Sequence, residues 1–206
     1  PSPITAYGVF MGMKAATKYA YGNDDLEGKK VYVQGIGNVG EALVEHLSNE
    51  GAQVFISDIN QARLEQVRDK YNAVIYGGNN LYTEEMDIYA PCALGATIND
   101  ETIPQLKAKV IAGAANNQLA DEVTHGKMLR EKGIVYAPDF LINAGGIINV
   151  YAELENYGKQ EIIRKTENIY NTTLEILTKA ETQDITTHKA AFEIAQNRID
   201  TRKKEQ

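Results

Sequence analysis

Three glycines, Gly35, Gly37 and Gly40, and a carboxylate, Asp58, are the residues of this chain best spaced to do chemistry. The run Gly35-Ile36-Gly37-Asn38-Val39-Gly40 has the spacing of a dinucleotide-binding turn. Gly35 lets the chain bend off a strand, Gly37 without a Cβ lets a pyrophosphate approach the backbone, and Gly40 lets a helix sit close to the sheet. The phosphates would lie at a helix N-terminus, where unpaired N–H groups and the helix dipole favour an anion. Asp58 follows roughly twenty residues on, at the end of a second apolar run, where a carboxylate accepts from ribose hydroxyls and repels a 2′-phosphate. No Arg or Lys directly follows it (Ile59, Asn60, Gln61), so NAD is expected rather than NADP. The alternatives are a loop with chance glycines and an ordinary strand-end acid.

Other chemistry-bearing residues stand where strands should end. Pro91 to Gly95 would form a wall for the nicotinamide end of a cofactor, since ligands of a doubly wound sheet collect at the C-terminal strand ends. Cys92 lies there with no histidine nearby to act as its base, and a buried small hydrophobe is the simpler reading. Asn116 and Asn117 carry donors and acceptors suited to a ribose or a carboxamide, or form a turn pair. Thr5 is expected to be buried in the first turn of a helix, with a local backbone hydrogen bond as its alternative role. His46, His125 and His188 have no metal-ligand spacing and read as surface helix residues; no metal is expected.

The elements that must position these groups alternate. A helix is expected from Ile4 to about Tyr21, with Ser2 as cap, Pro3 as first residue and Gly8 and Gly12 on a face suited to close packing. The opening Pro1-Ser2-Pro3 resembles a chain entered at a helix start, as in a domain or a processed fragment. Strands are read at Lys29–Gln34, Gln53–Asp58, Ala73–Tyr76, Met86–Ala90, Lys109–Gly113 and Ile134–Pro138. Helices are read at Val39–Leu47, Gln61–Tyr71, Ile103–Leu106 and Glu122–Lys132. Three more helices follow, about Asn143–Glu155, Lys159–Lys179 and Thr187–Lys204, the last with Ala190, Ala191, Ile194, Ala195 and Ile199 on one stripe. Strand and helix alternate through Tyr136 and helices alone follow, which means one parallel sheet with a helical C-terminal tail.

Bulk properties exclude some partners. A net charge of −7 argues against nucleic acid or an anionic membrane surface. No apolar run approaches membrane-spanning length. One cysteine rules out an intrachain disulfide and points to a reducing compartment, the cytoplasm.

Five ordered motifs carry a resemblance. They are Ser2-Pro3-Ile4-Thr5-Ala6-Tyr7-Gly8-Val9, Gln34-Gly35-Ile36-Gly37-Asn38-Val39, Ala90-Pro91-Cys92-Ala93-Leu94-Gly95, and Val110 through Leu119. The fifth is Tyr136-Ala137-Pro138-Asp139 with Ile142-Asn143-Ala144-Gly145-Gly146-Ile147-Ile148-Asn149-Val150. Over essentially its whole length the chain resembles the NAD-binding domain of the Glu/Leu/Phe/Val dehydrogenase family. The resemblance implies an α/β Rossmann-type fold, doubly wound and mainly parallel. It implies that Thr5 and Asn116 hold the nicotinamide carboxamide or nearby ribose, that Gly35, Ile36, Gly37, Asn38, Val39 and Gly40 cradle the pyrophosphate, and that Asp58 binds the adenosine ribose. Cys92 and Ala93 would line the cofactor through their backbone, Asn143 would sit near substrate and nicotinamide, and Ile147 and Val150 would shape the wall facing the substrate side chain.

The implied activity is NAD-dependent oxidative deamination of L-leucine and other branched-chain amino acids to 2-oxo acids and ammonia, by a homo-oligomer. Leucine-specific members usually carry Val where Ile147 stands, so a slightly smaller pocket is expected and the preference among Leu, Ile and Val stays open. A phenylalanine or valine dehydrogenase cofactor domain and a stand-alone NAD-binding module are the alternative functions. The family's substrate-binding lysines and proton-shuttling aspartate belong to a first domain whose glycine-rich motif does not occur here. Residues 1–206 are thus expected to be a single NAD-binding domain, with the N-terminal catalytic domain absent, no catalytic residue and no activity alone.

Overall fold

The computed structural model describes residues 2–204; Pro1, with which the chain opens, lies outside them. Helix α1 (Ser2–Tyr21) precedes a parallel sheet of β1 (Lys30–Gln34), β2 (Gln53–Ser57), β3 (Val74–Ile75), β4 (Ile88–Pro91), β5 (Val110–Ile111) and β6 (Val135–Tyr136). Its spatial order is β3-β2-β1-β4-β5-β6, and every strand pair is parallel. Between strands run α2 (Asn38–Asn49), α3 (Gln61–Tyr71) and α4 (Glu122–Glu131). After β6 come α5 (Asp139–Ile142), α6 (Gly145–Leu154), α7 (Lys159–Glu167), α8 (Ile169–Thr182) and α9 (Thr187–Lys204). This is the expected doubly wound α/β architecture with its helical tail.

Alternation along the strands builds a core on each face of the sheet, as a parallel sheet requires. Val31, Val33, Val54, Ile56, Ile88 and Val110 join α1, α2 and α3 in one cluster. Tyr32, Tyr89, Ile111 and Tyr136 point the other way, into a cluster with Ile98, Ile103, Leu106 and Leu129. Tyr32 stacks on Phe55 with ring centroids 4.5 Å apart, a cross-strand pair that fixes β1 against β2. The small-residue face of α1 packs as anticipated: a Cβ on Gly12 would lie 2.2 Å from Ile142 Cγ2, and one on Gly8 2.9 Å from the Ile142 carbonyl.

Several expectations need correction. Residues 103–106 form turns, not a helix, because Pro104 has no N–H and only isolated helical bonds such as Leu106 N to Thr102 O survive around it. The single helix expected over 159–179 is broken at Asn168, just after Thr166 turns its hydroxyl back onto Ile162 O at 2.8 Å, a bond that bends helices. On α9 only Ala190, Ala191 and Ile194 of the expected stripe are buried; Ala195 and Ile199 are exposed, and the ion pairs Lys179–Glu193 and Arg198–Glu175 also join α8 to α9. His125 is buried rather than on the surface: its Nδ1 accepts from Asp121 N at 2.8 Å and its Nε2 lies 3.3 Å from Asp100. Thr5 is half-buried, not buried.

Candidate functional site

The order of the sheet reverses between β1 and β4, and a crevice at the carboxyl ends of those strands is where such folds bind ligands. The chain leaves β1 through Gly35 at φ +97°, a conformation that L side chains rarely adopt. A Cβ there would also strike Ala93, 2.8 Å from its N. A Cβ on Gly40 would fall 2.1 Å from the Gly35 carbonyl oxygen, so the third glycine is what lets α2 approach the strand. A Cβ on Gly37 meets nothing within 4 Å. Gly37 is the N-cap of α2 and offers no side-chain cap, leaving the first N–H groups of the helix open to an anion. That open cradle fits a pyrophosphate.

Asp58 sits just beyond β2 and braces this turn. Its Oδ2 accepts from Ile36 N at 2.8 Å and its Oδ1 from Asn60 N at 2.9 Å. Each oxygen keeps a second lone pair for a ribose hydroxyl. Sequence neighbours alone missed Arg63. It stands in the first turn of α3, where the Asn60 cap starts the helix, and its guanidinium reaches back to Ile36 O, to Asn38 Oδ1 at 3.3 Å and to Glu41 at 3.1 Å. An Arg one turn into the helix after a strand-end acid is a signal that a search of the next three residues cannot see.

Behind the turn, Gln34 is held by the buried Tyr89, whose hydroxyl donates to Gln34 Oε1 at 2.5 Å. Burial pushes the Tyr89 hydroxyl far above its ordinary range, so it remains a donor. Cys92 N donates to Gln34 O at 2.8 Å, which lays the residues after β4 alongside the glycine turn. Although Cys92 keeps some surface, desolvation of its sulfur pushes the thiol up to about 12, partly offset by a backbone hydrogen bond at Ala114. That thiol is neutral and is no nucleophile.

The loops after β5 and β6 close the other end. Asn143 Nδ2 donates to Asn116 Oδ1 at 2.7 Å and to Ala114 O at 3.3 Å. Asn117 takes the left-handed conformation and its carbonyl accepts from Ala96 N, so it serves the turn while Asn116 faces Asn143. Thr5 lies against the start of α6: a Cβ on Gly146 would be 3.2 Å from its Oγ1. Ile147 and Val150 are 73% and 53% exposed on α6, unburied apolar side chains that follow Asn143 in sequence. The sheet thus gathers at one edge the turn from Gly35 to Gly40, Asp58, Cys92, Ala93, Asn116 and Asn143. A cleft of about 810 Å³ lies elsewhere, between α4 and α9. No group of three or more potential metal ligands occurs among the described residues, and no described helix is long and apolar enough to cross a membrane.

The model of the family described as Glutamate/Leucine/Phenylalanine/Valine dehydrogenase matches residues 2–62 and 56–206. Leucine dehydrogenase of Bacillus cereus is 52% identical over 199 residues, covering 97% of this chain and 54% of the relative. Phenylalanine dehydrogenase of Bacillus thermotolerans is 44% identical, covering 97% of this chain and 53% of the relative. The crystal structure of L-tryptophan dehydrogenase from Nostoc punctiforme superposes with a TM-score of 0.95 at 46% identity, over 99% of this chain and 61% of that one. The chain spans about half the length of the curated relatives it matches.

Proposed function

Because the chain belongs to the Glutamate/Leucine/Phenylalanine/Valine dehydrogenase family, we propose that it is the cofactor-binding domain of an NAD-dependent amino-acid dehydrogenase acting on L-leucine and related branched-chain substrates. The observation that carries this reading is the open cradle at Gly37, set on the same sheet edge as the Asn116–Asn143 pair. NAD supplies the hydride acceptor when bound. The N–H groups from Gly37 to Gly40 hold its pyrophosphate, Gly35 and Ile36 shape the bend with their own N–H groups bonded to Ser57 O and Asp58 Oδ2, and Asp58 takes the adenosine ribose. Cys92 and Ala93 line the path through their backbone. Thr5 and Asn116 hold the carboxamide end, and Asn143 stands between that end and the substrate. Ile147 and Val150 offer apolar surface to a branched aliphatic side chain. Asp58, together with a guanidinium already engaged by Glu41, supports NAD over NADP.

Amine oxidation also needs a base of depressed pKa to take protons. No Lys is among the residues gathered at this edge, so the reading assigns that work to the half of the relatives that the chain does not span. The test is a chimera in which residues 1–206 replace the matching half of Bacillus cereus leucine dehydrogenase. NAD-dependent turnover greatest on leucine, with phenylalanine and tryptophan poorer, supports the proposal. Preference for an aromatic substrate would move it toward the phenylalanine or tryptophan relatives. NAD binding with no turnover on any of the three would leave a cofactor module.

A further inference from the structure

A buried carboxylate lies behind the asparagine pair. Asp139 opens α5 and is 8% exposed. Its two oxygens accept from different segments: Oδ2 from Gln118 N at 3.0 Å, and Oδ1 from Phe140 N at 2.7 Å. The first of these bonds crosses from the loop after β6 to the loop after β5. Gln118 is itself fully buried, and its Nε2 donates to Gly113 O and Ala115 O, both at 2.9 Å. Its Oε1 has no partner among the described residues.

Burying a charge and an orphaned amide oxygen is unfavourable unless the arrangement secures something else. What it secures here is backbone position. The Gln118 amide pins the carbonyls of Gly113 and Ala115, and the Asp139 carboxylate pins Gln118 N, so Asn116 is tied down on both sides. Asn143 N in turn donates to the Asp139 carbonyl at 2.9 Å. One residue therefore fixes both segments whose side chains meet at 2.7 Å.

We propose that Asp139 is a positioning residue for the nicotinamide end of the cofactor site. Its carboxylate sets the spacing of Asn116 and Asn143, and so the face they present to a carboxamide and its ribose. The inference rests on the cofactor reading above. An amide at this position keeps one acceptor oxygen and turns an NH2 group toward the other N–H, so Asp139→Asn keeps the shape and loses one of the two bonds.

The test compares NADH with ADP-ribose, which lacks the nicotinamide ring, on the 206-residue chain, its Asp139→Asn and Asp139→Ala variants, with ring fluorescence followed for NADH. Loss of a charge-assisted bond should weaken NADH by about tenfold and move its emission toward that of free NADH. ADP-ribose should stay within about twofold of the parent chain. Equal weakening of both ligands overturns the inference, because Asp139 would then support the fold at large. Unchanged NADH affinity and emission overturn it as well. If Asp139→Ala does not fold, the isosteric Asp139→Asn decides. A parent chain that binds neither ligand refutes the cofactor reading and this inference together, an outcome distinct from parent and variant binding alike.

Discussion

Alanine at Gly37 and at Gly40 should have opposite consequences, although the two residues are three apart in one turn. A Cβ on Gly40 would lie 2.1 Å from the Gly35 carbonyl oxygen and 3.0 Å from its carbon. Both are backbone atoms, so α2 must retreat from β1 by about 1 Å to restore ordinary contact. Overpacking of that kind costs about 1–3 kcal/mol. For a chain of this size the melting temperature should fall by roughly 3–10 °C. Gly37 is different. Its φ of −59° suits alanine, and a Cβ there touches nothing within 4 Å. A reduced unfolded-state entropy and the poorer N-cap oppose each other, and stability should stay within about 0.5 kcal/mol. The methyl group instead occupies the approach of the pyrophosphate. Forcing a charged ligand off one or two N–H donors should weaken NAD by about tenfold to a hundredfold. Scanning calorimetry and NAD titration on both variants check the pair. A Gly37→Ala protein that binds NAD like the parent, or a Gly40→Ala protein that melts like it, would refute the reasoning.

Three further outcomes follow. Asp58→Ala should weaken NAD and narrow its advantage over NADP; an unchanged affinity ratio in competitive titration would remove Asp58 from ribose recognition. Cys92 is neutral in the folded chain, with a thiol pushed up to about 12 by burial. The unfolded thiol ionises near about 8.5, so its contribution to stability is complete below that pH and is lost as pH rises toward the folded value. Melting temperature should fall less steeply above about pH 9 in Cys92→Ala than in the parent, and identical slopes would contradict this. His46 packs against both Tyr7 and Phe10, at centroid distances of 5.5 and 5.1 Å, and its burial lowers its pKa, partly countered by Glu45. Its stabilising effect is present above the unfolded value near about 6.5 and is lost as pH falls below it. A melting profile from pH 8 to about pH 5 should therefore be flatter in His46→Phe, and an unaltered profile would count against the assignment.

The fold was legible because apolar runs and glycine turns alternate with helical periodicity as far as Tyr136, which leaves little but a parallel sheet. The glycine turn was legible because its function is tied to a spacing in sequence. The limits of β3, β5 and β6 were not, since each pairs through only two residues and the ladder stops where loops begin to serve the site. The break at Asn168 and the turns around Pro104 reflect competition between side-chain and backbone bonding that periodicity does not register. Arg63, Gln118 and Asp139 were missed for another reason. Arg63 enters through the first turn of a helix, and the other two act by bonds between loops that follow different strands. Such roles exist only once the sheet has brought those loops together.

Whether the turn between β1 and α2 seats a dinucleotide can be read from a crystal structure of the chain with NAD. The pyrophosphate should lie within hydrogen-bonding reach of the Gly37 to Gly40 N–H groups, the adenosine ribose on Asp58 and the carboxamide beside Asn116. A nucleotide found instead in the cleft between α4 and α9, or one leaving the turn bare, would contradict that placement.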